Sequence, residues 1–134
     1  MATSNKNNKN KQSKNHLIGV FFEFLINIKF AHIVTQSFSK HYATDKLYDE
    51  FNELYDKFLE VYVAKYGRFE TNKSQTISFE GKSDDQFKKY LKDFVNFLCK
   101  DIFQYIGNED TDLISIIDDM KVSVFKTLYQ LELK

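Results

Sequence analysis

The chain has 134 residues, no net charge and one cysteine, and 43% of its residues are hydrophobic. This size and composition are those of one globular domain with a full core, and a single cysteine excludes a disulfide framework within the chain. The chain contains no proline, which permits long uninterrupted helices.

The first fifteen residues are a polar tract rich in Asn, Lys and Ser. Such a tract cannot bury enough apolar surface to fold, so residues 1–15 are expected to form a disordered arm. The tract contains no acidic residue and four lysines, Lys6, Lys9, Lys11 and Lys14. Because lysines can neutralise phosphates, the arm is a candidate DNA-binding segment, with a solubilising terminus as the alternative.

Helix A is predicted for residues 16–41 and is apolar on two faces. One face is built from Phe21, Phe24, Leu25 and Ile28, and the other from Phe22, Ile26, Phe30 and Ile33. A helix that is apolar nearly all round is buried on more than one side, so we expect a homo-oligomer, a dimer or larger. Polar residues interrupt the apolar run, namely Glu23, Asn27 and Lys29. We therefore expect neither a membrane span nor a secretory signal, and a cytoplasmic location.

Three further helices are predicted: helix B over residues 45–66, helix C over 84–106 and helix D over 110–132. Thr44 is the expected N-cap of helix B, and Gly67 is expected to end it. Ser83 and Gln86 have the spacing of a capping box at the start of helix C.

The connection over residues 68–83 is much longer than the two others and can return along the whole bundle. Residues 16–134 are therefore expected to form an all-α, ferritin-like four-helix bundle in up-down-down-up order. A flexible insert in an ordinary up-down bundle is the alternative.

Candidate metal ligands are confined to helices A and B, and the set consists of His32, His41, Asp56 and Glu60. Imidazole and carboxylate groups in a helical bundle suit iron or manganese. Folding the hairpin about Ala43 would bring His32 level with residues 54–56. The acids lie opposite the core stripe of helix B on a helical wheel, so they would meet the histidines of a second subunit.

Each candidate ligand also has a structural interpretation. The acids can be a solvated helix face. His32 can be a hydrogen-bonded core histidine, with Thr35 or Tyr55 as its partner. His41 can interact with the last carbonyls of its helix.

The pattern in helices A and B resembles a known group of proteins. It reads Ala31-His32, Thr35, Ser37, His41, Leu47-Tyr48-Asp49-Glu50-Phe51, Leu54, Asp56, Glu60, Val61-Tyr62 and Gly67. It is similar to the ferritin-like miniferritins of the starvation-induced DNA-protecting (Dps) type, and closer to a group of small helical proteins from giant viruses and phages. This resemblance, over residues 16–67, implies an iron cofactor at a ferroxidase centre between two subunits, DNA-binding arms and, for the viral group, the virion as a location.

Two registers are open within this resemblance. In the first, His41, Asp56 and Glu60 match ligand positions, and the remaining histidine position falls at Lys29, one turn from His32. In the second, Tyr48, Val63 and Gly67 occupy ligand positions, and no site remains.

Two functional hypotheses follow. The first is a non-enzymatic structural or interaction protein that assembles through helices A and B. The alternative is an iron-binding protein that oxidises ferrous iron with peroxide or dioxygen and is associated with DNA through its arm.

Overall fold

The computed structural model describes residues 13–133, and within this range the chain is all-helical with no β-strand. Between residues 13 and 133, four α-helices and one short 3-10 helix follow each other. They are α1 (Lys14–Val34), α2 (Phe38–Tyr66), α3 (Asp84–Cys99), the 3-10 helix (Asp101–Gln104) and α4 (Thr111–Glu132). The expected all-α class with four helices is confirmed.

The turn between the first two helices lies earlier in the chain than the sequence predicted. Helix α1 ends at Val34 and α2 begins at Phe38, so the turn is centred on Gln36 rather than on Ala43. Ser37 is the N-cap of α2, because its hydroxyl accepts a hydrogen bond from the Lys40 amide at 3.3 Å. Thr44, the expected cap, is buried inside α2 and donates its hydroxyl to the Lys40 carbonyl at 2.7 Å.

The other helix boundaries differ less from the prediction. The capping box at Ser83 and Gln86 is present. Helix C was expected to reach residue 106, but α3 ends at Cys99 and the chain tightens into the 3-10 helix. This tightening begins at Lys100, whose amide bonds to two successive carbonyls, and it buries Ile102 completely.

The first helix begins before the expected end of the arm. Lys14 and Asn15 belong to α1, and the Lys14 ammonium donates to the carbonyl of Tyr66 at the end of α2. The other lysines of the arm, Lys6, Lys9 and Lys11, lie outside the described residues. The expectation of a disordered DNA-binding arm therefore stays a prediction.

The long connection between α2 and α3 follows α1. Asn15, in the first turn of α1, bonds to both the amide and the carbonyl of Glu70 at 2.9 Å. Further along α1, the side chain of Asn27 accepts a hydrogen bond from Lys82 at 2.9 Å. Directly after the connection, Asp84 at the start of α3 pairs with Lys40 near the start of α2 at 3.2 Å. The starts of α2 and α3 therefore lie together.

Helix α4 is held at both of its ends. Asp112 in its first turn pairs with Lys65 at the end of α2, with 2.6 Å between the charged atoms. Glu132 in its last turn pairs with Lys88 near the start of α3 at 3.0 Å.

The core between the helices is rich in aromatic rings. Phe21 and Phe24 of α1 face Phe51 of α2 and Phe94 of α3, and the rings of Phe24 and Phe94 stack with centroids 3.7 Å apart. Each buried phenyl group stabilises the fold by about 2 kcal/mol through the loss of its water-exposed surface. The inner face of α1 is thus the centre of the bundle, whereas Phe22, Ile26 and Ile33 on its opposite side stay partly exposed.

Candidate functional site

The two candidate histidines face each other across the α1–α2 turn. Their rings stack with centroids 3.9 Å apart and planes 23° apart. Nδ1 of His32 lies 3.0 Å from the carbonyl oxygen of His41, and Nδ1 of His41 lies 3.0 Å from the carbonyl oxygen of His32. Because a carbonyl only accepts, each Nδ1 carries a proton and donates it. The pair closes the hairpin and leaves both Nε2 atoms for other partners.

Both residues are hydrogen-bonded, as their structural interpretations require, but the details differ from the prediction. His41 lies in α2 and bonds to a carbonyl of α1 instead of one of its own helix, and the partner of His32 is not the expected one. His41 does bond to one of the last carbonyls of α1, which helps to satisfy the end of that helix. His32 is hydrogen-bonded, but to His41 rather than to Thr35 or Tyr55. Its Nε2 lies 3.9 Å from the carboxylate of Asp45.

The stacked rings do not point at a common metal position. An ion bound to a histidine lies in the ring plane along the lone pair of its nitrogen, and two nearly parallel planes have lone pairs that do not converge. Within residues 13–133 no three or more histidine, cysteine, aspartate or glutamate side chains are grouped so that they could hold a metal ion.

Asp56 and Glu60 lie far from the histidines of their own chain. Both are exposed on α2, away from the core. From position 41 to position 56 an α-helix rises about 22 Å, and the earlier turn pairs His32 with His41 instead of with residues 54–56. The structure thus brings the two histidines together and does not bring the two acids to them within one chain. A site shared between subunits stays a prediction.

The outer side of α1 is an exposed apolar surface. Phe22, Ile26 and Ile33 keep 37%, 38% and 66% of their surface exposed. A groove of about 240 Å³ crosses this side of the helix. It is lined by Leu25, Ile26, Lys29, Phe30 and Ile33 of α1, by Tyr48 of α2 and by Phe79 of the connection.

Two contacts shape this groove. The ring of Phe79 packs edge-on against Phe30 with centroids 5.3 Å apart, so the connection forms one wall. The Lys29 ammonium lies 5.0 Å from the centre of the Tyr48 ring. Lys29, the charged residue among those that line the groove, thus lies at the wall formed by α2, opposite Phe79. Among the described residues α1 also has the length and apolarity of a membrane span, and its buried residues show that one side of it belongs to the bundle core.

A charged cluster at the opposite end of the bundle was not foreseen from the sequence. The carboxylate of Asp110 is buried and accepts hydrogen bonds from the Tyr66 hydroxyl, from the Gly107 amide at 2.8 Å and from the Lys65 ammonium at 2.7 Å. Burial opposes its ionisation, but these three donors outweigh burial and lower the pKa of Asp110 to about 2. Asp110 was expected only as the start of helix D, and no local pattern points to a partner on α2.

These features describe an all-helical bundle protein. It has the stacked pair of His32 and His41 at one end, a charged cluster around Asp110 at the other, and a partly exposed apolar side of α1 between them. Residues 32–131 match the model of a family of unknown function, DUF5856, and the chain belongs to this family. The match begins at His32 and includes the histidine pair, the long connection and the three later helices. Searches of curated proteins and of solved structures found no match.

Proposed function

We propose that this protein is a non-enzymatic assembly protein, a ferritin-like bundle that associates with a second copy of itself through α1 and the adjoining side of α2. The observation that carries the proposal is the exposed apolar side of α1, with Phe22, Ile26 and Ile33 at its surface. Helix α1 uses its other side for the core of its own bundle. A helix that is apolar on both sides needs a second partner.

The ferritin-like part of the proposal is supported by the contacts at the helix ends. The end of α2 meets the starts of α1 and α4, through Lys14 and Asp112. The starts of α2 and α3 meet through Lys40 and Asp84. These contacts favour the up-down-down-up order, which a bundle with one long crossover adopts.

The composition of the exposed surface also supports an interface. Soluble monomers rarely leave a contiguous apolar patch open to water, and such patches usually mark interaction sites. Here the groove joins four apolar side chains of α1 to Phe79 of the connection. Tyr48 lies at its edge and has the mixed apolar and polar character that is common in interfaces.

Static light scattering after size exclusion, over a range of concentrations, tests this proposal. Wild type is expected to have at least twice the 15.9 kDa mass of the chain. Ile33→Asp places an unpaired charge in the interface, which we expect to weaken association by about 2 kcal/mol or more. Since Ile33 is 66% exposed, the fold is expected to stay intact, which circular dichroism checks.

The matched control is Val122→Asp, on the exposed side of α4. Val122 is another β-branched residue and is 56% exposed, so the substitution changes charge and bulk in the same way on a different helix. We expect its mass to equal that of wild type. A wild type that is monomeric at every concentration, or a loss of association in Val122→Asp alone, would contradict the proposal.

A second candidate function is iron binding between subunits. It is favoured by the exposure of Asp56 and Glu60 on α2, which leaves both carboxylates accessible to the histidines of a partner. Nitrogen and carboxylate ligands of this kind suit iron. To share an ion, the two imidazoles would leave their stack and turn their Nε2 atoms toward the partner's acids.

Metal analysis of protein purified without chelator, followed by a ferrous oxidation assay, tests this candidate. We expect bound iron and ferrous oxidation in wild type, and the loss of both in Asp56→Ala/Glu60→Ala, because two oxygen ligands are removed. The control is Asp49→Ala/Glu53→Ala, which removes two exposed acids from the same helix. Iron-free wild type, with all three proteins behaving alike, rejects the candidate.

A further inference from the structure

We propose that the second copy docks on α1 in the antiparallel direction, with a two-fold axis beside Ile26. This inference rests on the proposed self-association and adds the orientation and the contacts of the second copy. In this dimer the Phe22 ring of each copy fills the groove of the other, against Lys29, Phe30 and Phe79.

The spacing of the outer residues of α1 is nearly the same when the helix is reversed. At 100° per residue, five residues share this side of the helix, Ile18, Phe22, Ile26, Lys29 and Ile33. Reversal about a point between positions 25 and 26 sets Ile18 of one copy opposite Ile33 of the other. It sets Phe22 opposite Lys29, and it brings the two Ile26 side chains beside the axis, offset by about 1.5 Å along the helices. Each of these pairs across the interface then contains at least one apolar side chain.

The position of the groove relative to Phe22 fits the same two-fold rotation. The centre of the groove lies near Lys29, two helical turns from Phe22, or about 10 Å along α1 on the same side. A two-fold axis midway between them places both Phe22 rings in both grooves at once, as a self-complementary interface requires. The Phe22 ring is held by an edge-on contact with Tyr55 at 6.0 Å, so it is oriented before docking.

The charge of Lys29 selects the antiparallel direction. In a parallel pair the two Lys29 ammonium groups would oppose each other in the middle of the seam, and like charges across an interface are unfavourable. In the antiparallel pair each ammonium meets the face of a Phe22 ring, which attracts a cation. Lys29 already lies over the Tyr48 ring, so its charge has an aromatic neighbour on both sides.

Disulfide cross-linking tests this geometry in the full chain. The background variant is Cys99→Ser, because the native cysteine is exposed. Ile26→Cys lies at the axis, so its two copies are expected to form a covalent dimer when oxidised glutathione is added, since a disulfide requires Cα atoms within about 7 Å. Ile33→Cys alone is expected to stay monomeric on a non-reducing gel, because its copies would be about 22 Å apart.

Mixing two variants gives the sharpest result. Ile18→Cys with Ile33→Cys is expected to yield a cross-linked heterodimer, although neither links to itself. Val122→Cys on α4 is the control and is expected to remain monomeric on the gel. If wild type associates in solution but Ile33→Cys links to itself and Ile26→Cys does not, the antiparallel geometry is wrong and the proposed assembly stands.

Two other outcomes overturn both proposals. In one, wild type is monomeric and no cysteine variant cross-links. In the other, wild type is monomeric in solution and floats with phosphatidylcholine vesicles, while Ile33→Asp does not. The occupant of the α1 surface would then be lipid, as the apolarity of this helix also permits.

Discussion

Asp110 stabilises the fold through its hydrogen bonds and its ion pair with residues of other segments. Its carboxylate connects Lys65 and Tyr66 at the end of α2 to the loop that precedes α4. The sequence placed this residue at the start of the last helix, which is correct, but it offered no sign of the contact with α2. Lys65 and Asp110 are 45 positions apart and meet only because the helices pack. The local sequence around either residue does not indicate such a contact.

Asp110→Asn is expected to lower the free energy of unfolding by about 2 kcal/mol at neutral pH, because hydrogen bonds to a charged group are lost. The pKa of Asp110 is lowered from 3.8 to about 2 in the folded state. Its stabilisation is therefore present above pH 3.8 and is lost as the pH falls toward about 2. Urea unfolding at several pH values should show this loss in wild type and not in the variant.

Asp118→Asn is the control for this measurement. Asp118 is exposed and, among residues 13–133, pairs only with Lys121 of the same helix, and such surface pairs contribute little. A stability change in Asp118→Asn as large as that in Asp110→Asn would contradict the role given to the buried carboxylate.

At the scale of the elements, the helices were predicted better than the turns between them. The apolar periodicity located all four helices, and the capping box at Ser83 set the start of α3 correctly. The turn after α1 was misplaced because two capping residues, Ser37 and Thr44, are both suitable and no glycine or proline decides between them. The observed turn brings His32 onto His41, a contact between residues of two helices that the local sequence does not reveal.

Ser37→Ala tests this boundary. Loss of the hydroxyl that accepts from the Lys40 amide is expected to cost about 1 kcal/mol of unfolding free energy and to speed amide exchange at the start of α2. Gln36→Ala, in the same turn, is the control and should change neither quantity. If Ser37→Ala matches wild type in exchange and in unfolding, α2 is capped in another way.

At the scale of the whole molecule, the candidate site was partly predictable. The second apolar face of α1 followed from the sequence, and Phe22, Ile26 and Ile33 are exposed as that face requires. Phe30 belonged to the same predicted face but is half-buried under Phe79, which lies in the long connection. Periodicity cannot place a residue of an irregular segment, so the groove, unlike the face, could be found only in the structure.

In the proposed assembly a second copy of the chain covers the exposed side of α1. Sedimentation equilibrium of the wild-type protein measures this most directly, because it gives the mass in solution without a surface or a tag. We expect a mass of at least twice 15.9 kDa that falls to the single-chain value in Ile33→Asp. A single-chain mass for wild type at every concentration would contradict it.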